Sequence, residues 1–120
     1  MAKVEKNYIE RGEQNVVVAW FNLAYPNELL YCIPNQLVRG KLQAIHMKKQ
    51  GLVAGIPDLC LACPSKTHHG LYIEMKRPKG VTSKEQKNII AHLISKGYAA
   101  YVCNGFEEAQ KIIVAYMKNT

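Results

Sequence analysis

Residues 55–78 of this 120-residue chain, GIPDLCLACPSKTHHGLYIEMKRP, form the segment from which its architecture can be predicted. Two short apolar runs, Leu59–Cys63 and Leu71–Met75, flank a polar segment that has the composition of a hairpin turn. Pro57 precedes the first run, and proline is tolerated at the start of a strand, where it also keeps the preceding residue extended. The stretch therefore predicts two neighbouring strands joined by a turn.

Charged side chains are predicted to gather on one face of this strand pair. Because side chains alternate between the two faces of a strand, Glu74 and Lys76 point the same way, and Asp58 joins them if the strands pair. Two carboxylates held together are costly unless a metal ion neutralises them. The pattern is typical of metal-dependent phosphodiester hydrolysis, whereas an ordinary exposed pair is the alternative for Glu74 and Lys76 alone.

These residues also carry a resemblance to a known family. The Pro-Asp of residues 57–58 and the Glu-Met-Lys of residues 74–76, with fifteen residues between them, resemble the PD-(D/E)xK nuclease superfamily. The wider string AGIPDL…GLYIEMKRPKGVTSKEQ resembles its VRR-NUC branch, which is known from small phage proteins and DNA-repair nucleases. The combination of GIPDL, IEMKRP and the following SxxQ is more specific than the bare motif. The resemblance extends from about residue 13 to residue 116.

The order of predicted elements agrees with the fold that this resemblance implies, an α/β restriction-endonuclease-like core with a small mixed β-sheet flanked by helices. Apolar periodicity and breakers predict helix, strand, helix, strand, strand, helix, strand, helix, with the flanking elements at residues 7–23, 29–33, 36–50, 83–96, 98–102 and 106–117. The last strand–helix–strand passage predicts a right-handed crossover and a parallel strand pair. Residues 1–120 are expected to form a single domain.

The resemblance implies a catalytic site around a hard divalent ion, Mg²⁺ or Mn²⁺, which prefers carboxylate, carbonyl and water oxygens. Asp58 and Glu74 would bind the metal, with the backbone carbonyl of Met75 as a further ligand. Glu13 would bind it directly or through water. Lys76 would stabilise the charge that develops on the phosphate or help to deprotonate the attacking water.

Three of the residues that the resemblance places at the site have a second interpretation. Glu13 extends the apolar stripe of the first helix, so it is either a third carboxylate of the site, with Glu10 as the fallback, or a glutamate at a frayed helix end. Ser83-x-x-Gln86 fits a capping box, which alone explains Gln86, whereas the resemblance places this glutamine facing the active site. Asn35 similarly lies near the site or simply in a turn.

Positive charge indicates a partner rich in phosphate. The formal net charge is +7 and the pI is near 9.3, although charge alone does not separate DNA from RNA or an acidic membrane. Five basic residues are candidates for nucleic-acid binding: Lys48, Lys49, Arg77, Lys79 and Lys84. For the two in the second helix, a merely solvated face is an equal alternative.

The expected substrate is branched or flapped DNA, including Holliday junctions, and the expected assembly is a homodimer that presents two sites to two strands. No apolar run approaches a membrane span, and no signal-peptide core precedes the first helix, so a cytoplasmic location is expected, that of the host if the protein is phage-encoded. The alternative from another class is a non-catalytic DNA-binding module on the same fold.

A zinc-stabilised adaptor is the third hypothesis. Cys60, Cys63, His68 and His69 have the composition of a zinc site. The strand prediction argues against it, because residues three apart in a strand point to opposite faces. Buried or free thiols are therefore the favoured interpretation of these cysteines.

Overall fold

The computed structural model describes residues 2–34 and 40–120, and within them the side chains from residue 12 onward. The eight elements follow the predicted order: α1 (Ala2–Ala24), β1 (Leu30–Cys32), α2 (Gly40–Lys49), β2 (Leu59–Leu61), β3 (Leu71–Lys76), α3 (Lys84–Ser95), β4 (Ala99–Asn104) and α4 (Phe106–Lys118). The first helix is longer than predicted, and Asn35 and the start of the predicted second helix lie outside the described residues.

The four strands form one mixed sheet in the order β1-β2-β3-β4. β2 pairs antiparallel with β1 and with β3, and the register places Leu59 opposite Ile73. β4 pairs parallel with β3, and α3 makes the connection between them. The predicted strand pair and the predicted parallel crossover are both confirmed, and so is the mixed α/β architecture.

Helices α1 and α4 cover one face of the sheet and form the hydrophobic core with it. Burial of each large apolar side chain there contributes about 1.5–3 kcal/mol. The fully buried members of this core come from both helices and from three strands: Val17, Phe21, Leu59, Leu61, Leu71, Ile73, Cys103, Ala109 and Ile113. Val16 belongs to the apolar stripe of α1 but is 49% exposed, so the buried part of this helix is narrower than its apolar periodicity.

The opposite face of the sheet is only partly covered. Helix α3 packs against β4, yet none of its side chains is buried, and Ile94, on the apolar side of this helix, is 55% exposed. Within the described ranges, α2 packs against no other helix or strand. The part of this face that belongs to β1, β2 and the adjoining side of β3 is therefore not covered by a helix that the structure describes.

Candidate active site

The candidate site forms where β2 and β3 separate. β2 begins at Leu59, opposite Ile73, so β3 continues beyond it for three residues. Continuing the same register would set Pro57 opposite Met75. The N–H of Met75 instead donates a hydrogen bond of 2.8 Å to Oδ2 of Asp58, so a side chain closes the edge where strand pairing stops.

The carboxylates and the lysine lie on the face that α3 partly covers. Leu59, Ile73 and Met75 point into the core, so strand alternation puts Asp58 and Glu74 on the other face. Lys76, two residues after Glu74, shares that face and is half-buried. Asp58 is half-buried and Glu74 is 4% exposed, and Glu74 is the only buried charged side chain among those described. The predicted grouping of these three residues on one face agrees with this arrangement.

The Met75 carbonyl is directed to the same edge as Asp58. Within a strand, the N–H and C=O of one residue point to the same side, and the N–H of Met75 points at the Asp58 carboxylate. Pro57, opposite in the register, has no N–H to donate to that carbonyl. Two carboxylates and a strand carbonyl are the oxygen ligands that Mg²⁺ and Mn²⁺ prefer, so the residues present fit a hard divalent ion.

Glu13 lies at the carboxyl end of the parallel strand pair, where its described contact is with α4. Its Oε2 accepts a hydrogen bond of 2.6 Å from the N–H of Phe106, the first residue of that helix. A carboxylate at a helix N-terminus is favourable because it meets the positive end of the helix dipole. The neighbouring N–H of Gly105 donates to the Lys76 carbonyl at 3.0 Å, which ties this helix start to the end of β3.

The carboxylates do not form a ready three-ligand cluster. Among the side chains that the structure describes, no group of three or more His, Cys, Asp or Glu is arranged to hold a metal ion. Glu13 thus has a structural partner on α4 in addition to the role that the resemblance implies. The side chain of Glu10, the fallback residue, lies outside the described part of the chain.

Gln86 takes part in a complete capping box at the start of α3. Its N–H donates to the Ser83 hydroxyl at 3.1 Å, and its Oε1 accepts from the Ser83 N–H at 2.9 Å. The capping interpretation is therefore confirmed. The same contacts use the backbone N–H and the side-chain oxygen of Gln86, and not its side-chain amide nitrogen.

Gly55 holds this helix start against the loop that leads to Asp58. A Cβ at this position would lie 2.5 Å from the carbonyl carbon of Glu85 and 2.7 Å from the nitrogen of Gln86, and the backbone has φ +87°. Only glycine fits at this position, because a Cβ would overlap the backbone of α3 and because a positive φ is strained for other residues. Nothing in the sequence indicates this contact between Gly55 and α3.

The candidate DNA-binding residues fall into two groups. The N–H of Gly80 donates to the Arg77 carbonyl at 2.9 Å, closing a turn right after β3 in which Lys79 has φ +65°. Lys79 is exposed, and Arg77 is half-buried with its Nε hydrogen-bonded to none of the described residues. Lys84 is exposed at the start of α3. Lys48 and Lys49 are exposed at the end of α2.

The four candidate zinc ligands have separate partners. Cys60 is buried between two strand neighbours, and the Cys63 thiol donates to the Pro64 carbonyl at 3.7 Å. The Nδ1 of His68 lies 2.8 Å from the Thr67 hydroxyl. The His69 ring contacts the Tyr98 ring edge-on, with 5.5 Å between centroids. These contacts give no support to a zinc-stabilised adaptor.

A mixed sheet flanked by helices, with an aspartate ahead of β2 and a Glu-x-Lys at the end of β3, is the arrangement of the PD-(D/E)xK nuclease class. The family model for the VRR-NUC domain matches residues 2–107. The chain therefore belongs to the VRR-NUC domain family, which is a family of nucleases.

A solved structure supports this assignment of the fold. A protein described as a VRR_NUC domain protein is 27% identical in sequence and superposes with a TM-score of 0.78. The alignment covers 92% of this chain and 89% of that one. No curated protein matches the chain.

Proposed function

We propose that this chain is a Mg²⁺- or Mn²⁺-dependent endodeoxyribonuclease that hydrolyses phosphodiester bonds in branched or flapped DNA, Holliday junctions included. Residues 1–120 would act as one nuclease domain. The observation that carries the proposal is the hydrogen bond from Met75 to Asp58, which fixes one carboxylate at the strand edge beside the buried Glu74. Membership of a nuclease family supports the reaction class.

The proposed site divides the chemistry among few groups. Asp58, Glu74 and the Met75 carbonyl would hold the divalent ion, which supplies Lewis acidity and lowers the pKa of bound water. The Lys76 ammonium donates hydrogen bonds to the phosphate oxygens on which negative charge develops. The alternative role is that a neutral Lys76 amine accepts the proton of the attacking water. Glu13 assists at the metal, directly or through water.

The Gln86 amide nitrogen is proposed to orient the attacking water or a phosphate oxygen. Its oxygen already caps α3, so the side chain is fixed in direction before any substrate arrives. A fixed donor costs less entropy when it binds than a mobile one. The same helix start presents Lys84, which is proposed to contact the DNA backbone.

The decisive test is cleavage of a labelled four-way junction, a flap and a plain duplex in Mg²⁺, in Mn²⁺ and in EDTA. We expect nicking of the branched substrates in either metal and none in EDTA, because the chelator removes the ion that neutralises the carboxylates. DNA binding without cleavage in any metal would refute the hydrolase. That result would favour the non-catalytic DNA-binding module.

The proposed assembly is a homodimer, since a chain of this size offers little surface for gripping a junction alone. Symmetric nicking of a four-way junction and a sedimentation mass of two chains are the expected results. A monomer that nicks only one strand would contradict the dimer. The proposed location is the cytoplasm, that of the host for a phage protein. None of the helices described within residues 2–34 and 40–120 has the length and hydropathy needed to cross a bilayer.

Lys79→Gln is expected to weaken binding to every DNA sequence alike and to reduce the salt slope of log K by about 1, because one phosphate contact is lost. Glutamine is one atom shorter than lysine, and, as another residue with a Cβ, it leaves the backbone strain at φ +65° unchanged. Lys96→Gln, at the far end of α3, is the matched exposed control and should leave the slope unchanged. Titrations at several salt concentrations give the slope of log K for each protein. If the slopes of the wild type and both variants were equal, Lys79 would not be a phosphate contact. Arg77 and the α2 pair Lys48 and Lys49 can be compared in the same titrations.

A further inference from the structure

A row of aromatic side chains crosses the sheet on the same face as the carboxylates. The strand registers set Tyr31 opposite Cys60 and Cys60 opposite Tyr72. Tyr98, just before β4, meets the ring of Tyr72 edge-on with 5.5 Å between centroids. We call Tyr31, Tyr72 and Tyr98 the tyrosine row.

The tyrosine row is accessible in the described structure. Tyr31 is 42% exposed, and Tyr72 and Tyr98 are half-buried, whereas Cys60 between Tyr31 and Tyr72 is buried. α3 packs on β4, and no described helix packs on β1 or β2 from this face. The Tyr72 and Tyr98 rings also contact each other, so they present a preformed aromatic surface.

The phenols of Tyr31 and Tyr72 carry no negative charge at neutral pH, because the pKa of each is raised. Burial, with Cys60 as a further cause, raises the pKa of Tyr72 to about 12. A hydrogen bond with the Cys60 side chain is the main cause that raises the pKa of Tyr31. A strand rich in phosphate therefore meets neutral rings here, in a chain with a net charge of +7.

The row lies one strand step behind the candidate active site. Tyr72 precedes Glu74 by two residues on β3, and Cys60 follows Asp58 by two, so about 7 Å separates the two rows along the strands. A DNA strand whose scissile phosphate lies between Asp58 and Glu74 brings a neighbouring nucleotide over the tyrosine row.

We propose that the tyrosine row is a stacking platform for the unpaired bases of a single-stranded DNA arm that leaves the cut site. This inference rests on the proposed nuclease function and narrows its substrate class. Bases stack on aromatic rings whatever their sequence, but only when they are not already stacked within a duplex. The site thus favours a flap or splayed arm, with unpaired nucleotides beside the scissile phosphate, over a fully paired duplex.

The test is binding of an oligothymidine of about 12 nucleotides, in EDTA so that no cleavage occurs, by wild type, Tyr31→Ala and Tyr31→Phe. Tyr101→Ala is the matched control, because Tyr101 is also a strand tyrosine, 46% exposed, but lies beside α4. We expect Tyr31→Ala to weaken binding about 5- to 100-fold, and the other two variants to bind as the wild type does. An abasic strand of equal length should bind weakly and equally to all four proteins.

Three results would overturn the platform. The first is unchanged binding of oligothymidine by Tyr31→Ala. The second is an equal loss of affinity for oligothymidine and for the abasic strand, which would indicate a contact with the DNA backbone. A dimer that dissociates in Tyr31→Ala with single-strand binding unchanged would show that this face joins two copies of the chain. Cleavage of a flap by the wild type in Mg²⁺ tests the nuclease separately, so either proposal can fail while the other stands.

Discussion

Asp58→Asn is expected to abolish metal-dependent cleavage while leaving the fold intact. The substitution removes one of the two carboxylate charges proposed to hold the ion, a loss of several kcal/mol in transition-state stabilisation. On the rate scale this corresponds to a decrease of about 10³-fold or more. Asparagine keeps a side-chain oxygen in place, so the 2.8 Å hydrogen bond from the Met75 N–H can persist.

Asp58→Ala is the matched comparison, because it removes both the charge and the hydrogen-bond acceptor. We expect it to abolish cleavage equally and also to lower the free energy of unfolding by about 1–3 kcal/mol, since the Met75 N–H loses its partner. Single-turnover cleavage and urea unfolding measure the two effects separately. If Asp58→Asn retained activity within about tenfold of wild type, Asp58 would not be an essential metal ligand. If both variants were equally stable, the hydrogen bond would have no structural importance.

The grouping of charges on one face could be predicted from the sequence because it depends only on local rules. Strand periodicity alone puts Glu74 and Lys76 together, and a turn of ordinary composition brings the preceding strand alongside. The parallel pairing of β3 and β4 follows from the helix between them. These parts of the fold need no knowledge of which residues meet at long range.

The contacts that fix the site could not be predicted, because each depends on where distant elements stop. The apolar run that begins at Leu59 indicates where β2 starts, but it does not indicate that the Met75 N–H on β3 binds the Asp58 side chain. Glu13 binds a backbone amide 93 positions away, at Phe106. The exposure of Ile94 shows the same limit, since helical periodicity defines an apolar side but not whether another element covers it.

Gly55→Ala is expected to cost about 2–5 kcal/mol of stability and to impair the active site. The left-handed backbone at φ +87° destabilises the alanine variant by about 1–2 kcal/mol. A further 1–3 kcal/mol arises because its Cβ would overlap backbone atoms of Glu85 and Gln86, which cannot rotate away as a side chain can. The overlap is relieved only by moving the start of α3 or the loop that carries Pro57 and Asp58, so we expect cleavage to fall even under conditions where the variant is fully folded.

Gly51→Ala separates the effect of the left-handed backbone from the effect of the overlap with α3. Gly51 also has a positive φ, +102°, but a Cβ there would have no atom within 4 Å. This variant should lose only the backbone contribution, about 1–2 kcal/mol in urea unfolding, and keep its cleavage rate. If the two substitutions lowered the free energy of unfolding equally, the start of α3 would be able to move away from the loop at no cost in stability. A Gly55→Ala protein that is less stable but cleaves normally would show that the position of α3 is set independently of Asp58. If Gly55→Ala lost additional stability and cleavage activity while Gly51→Ala did not, the close contact between Gly55 and the start of α3 would be needed to position the Asp58 carboxylate.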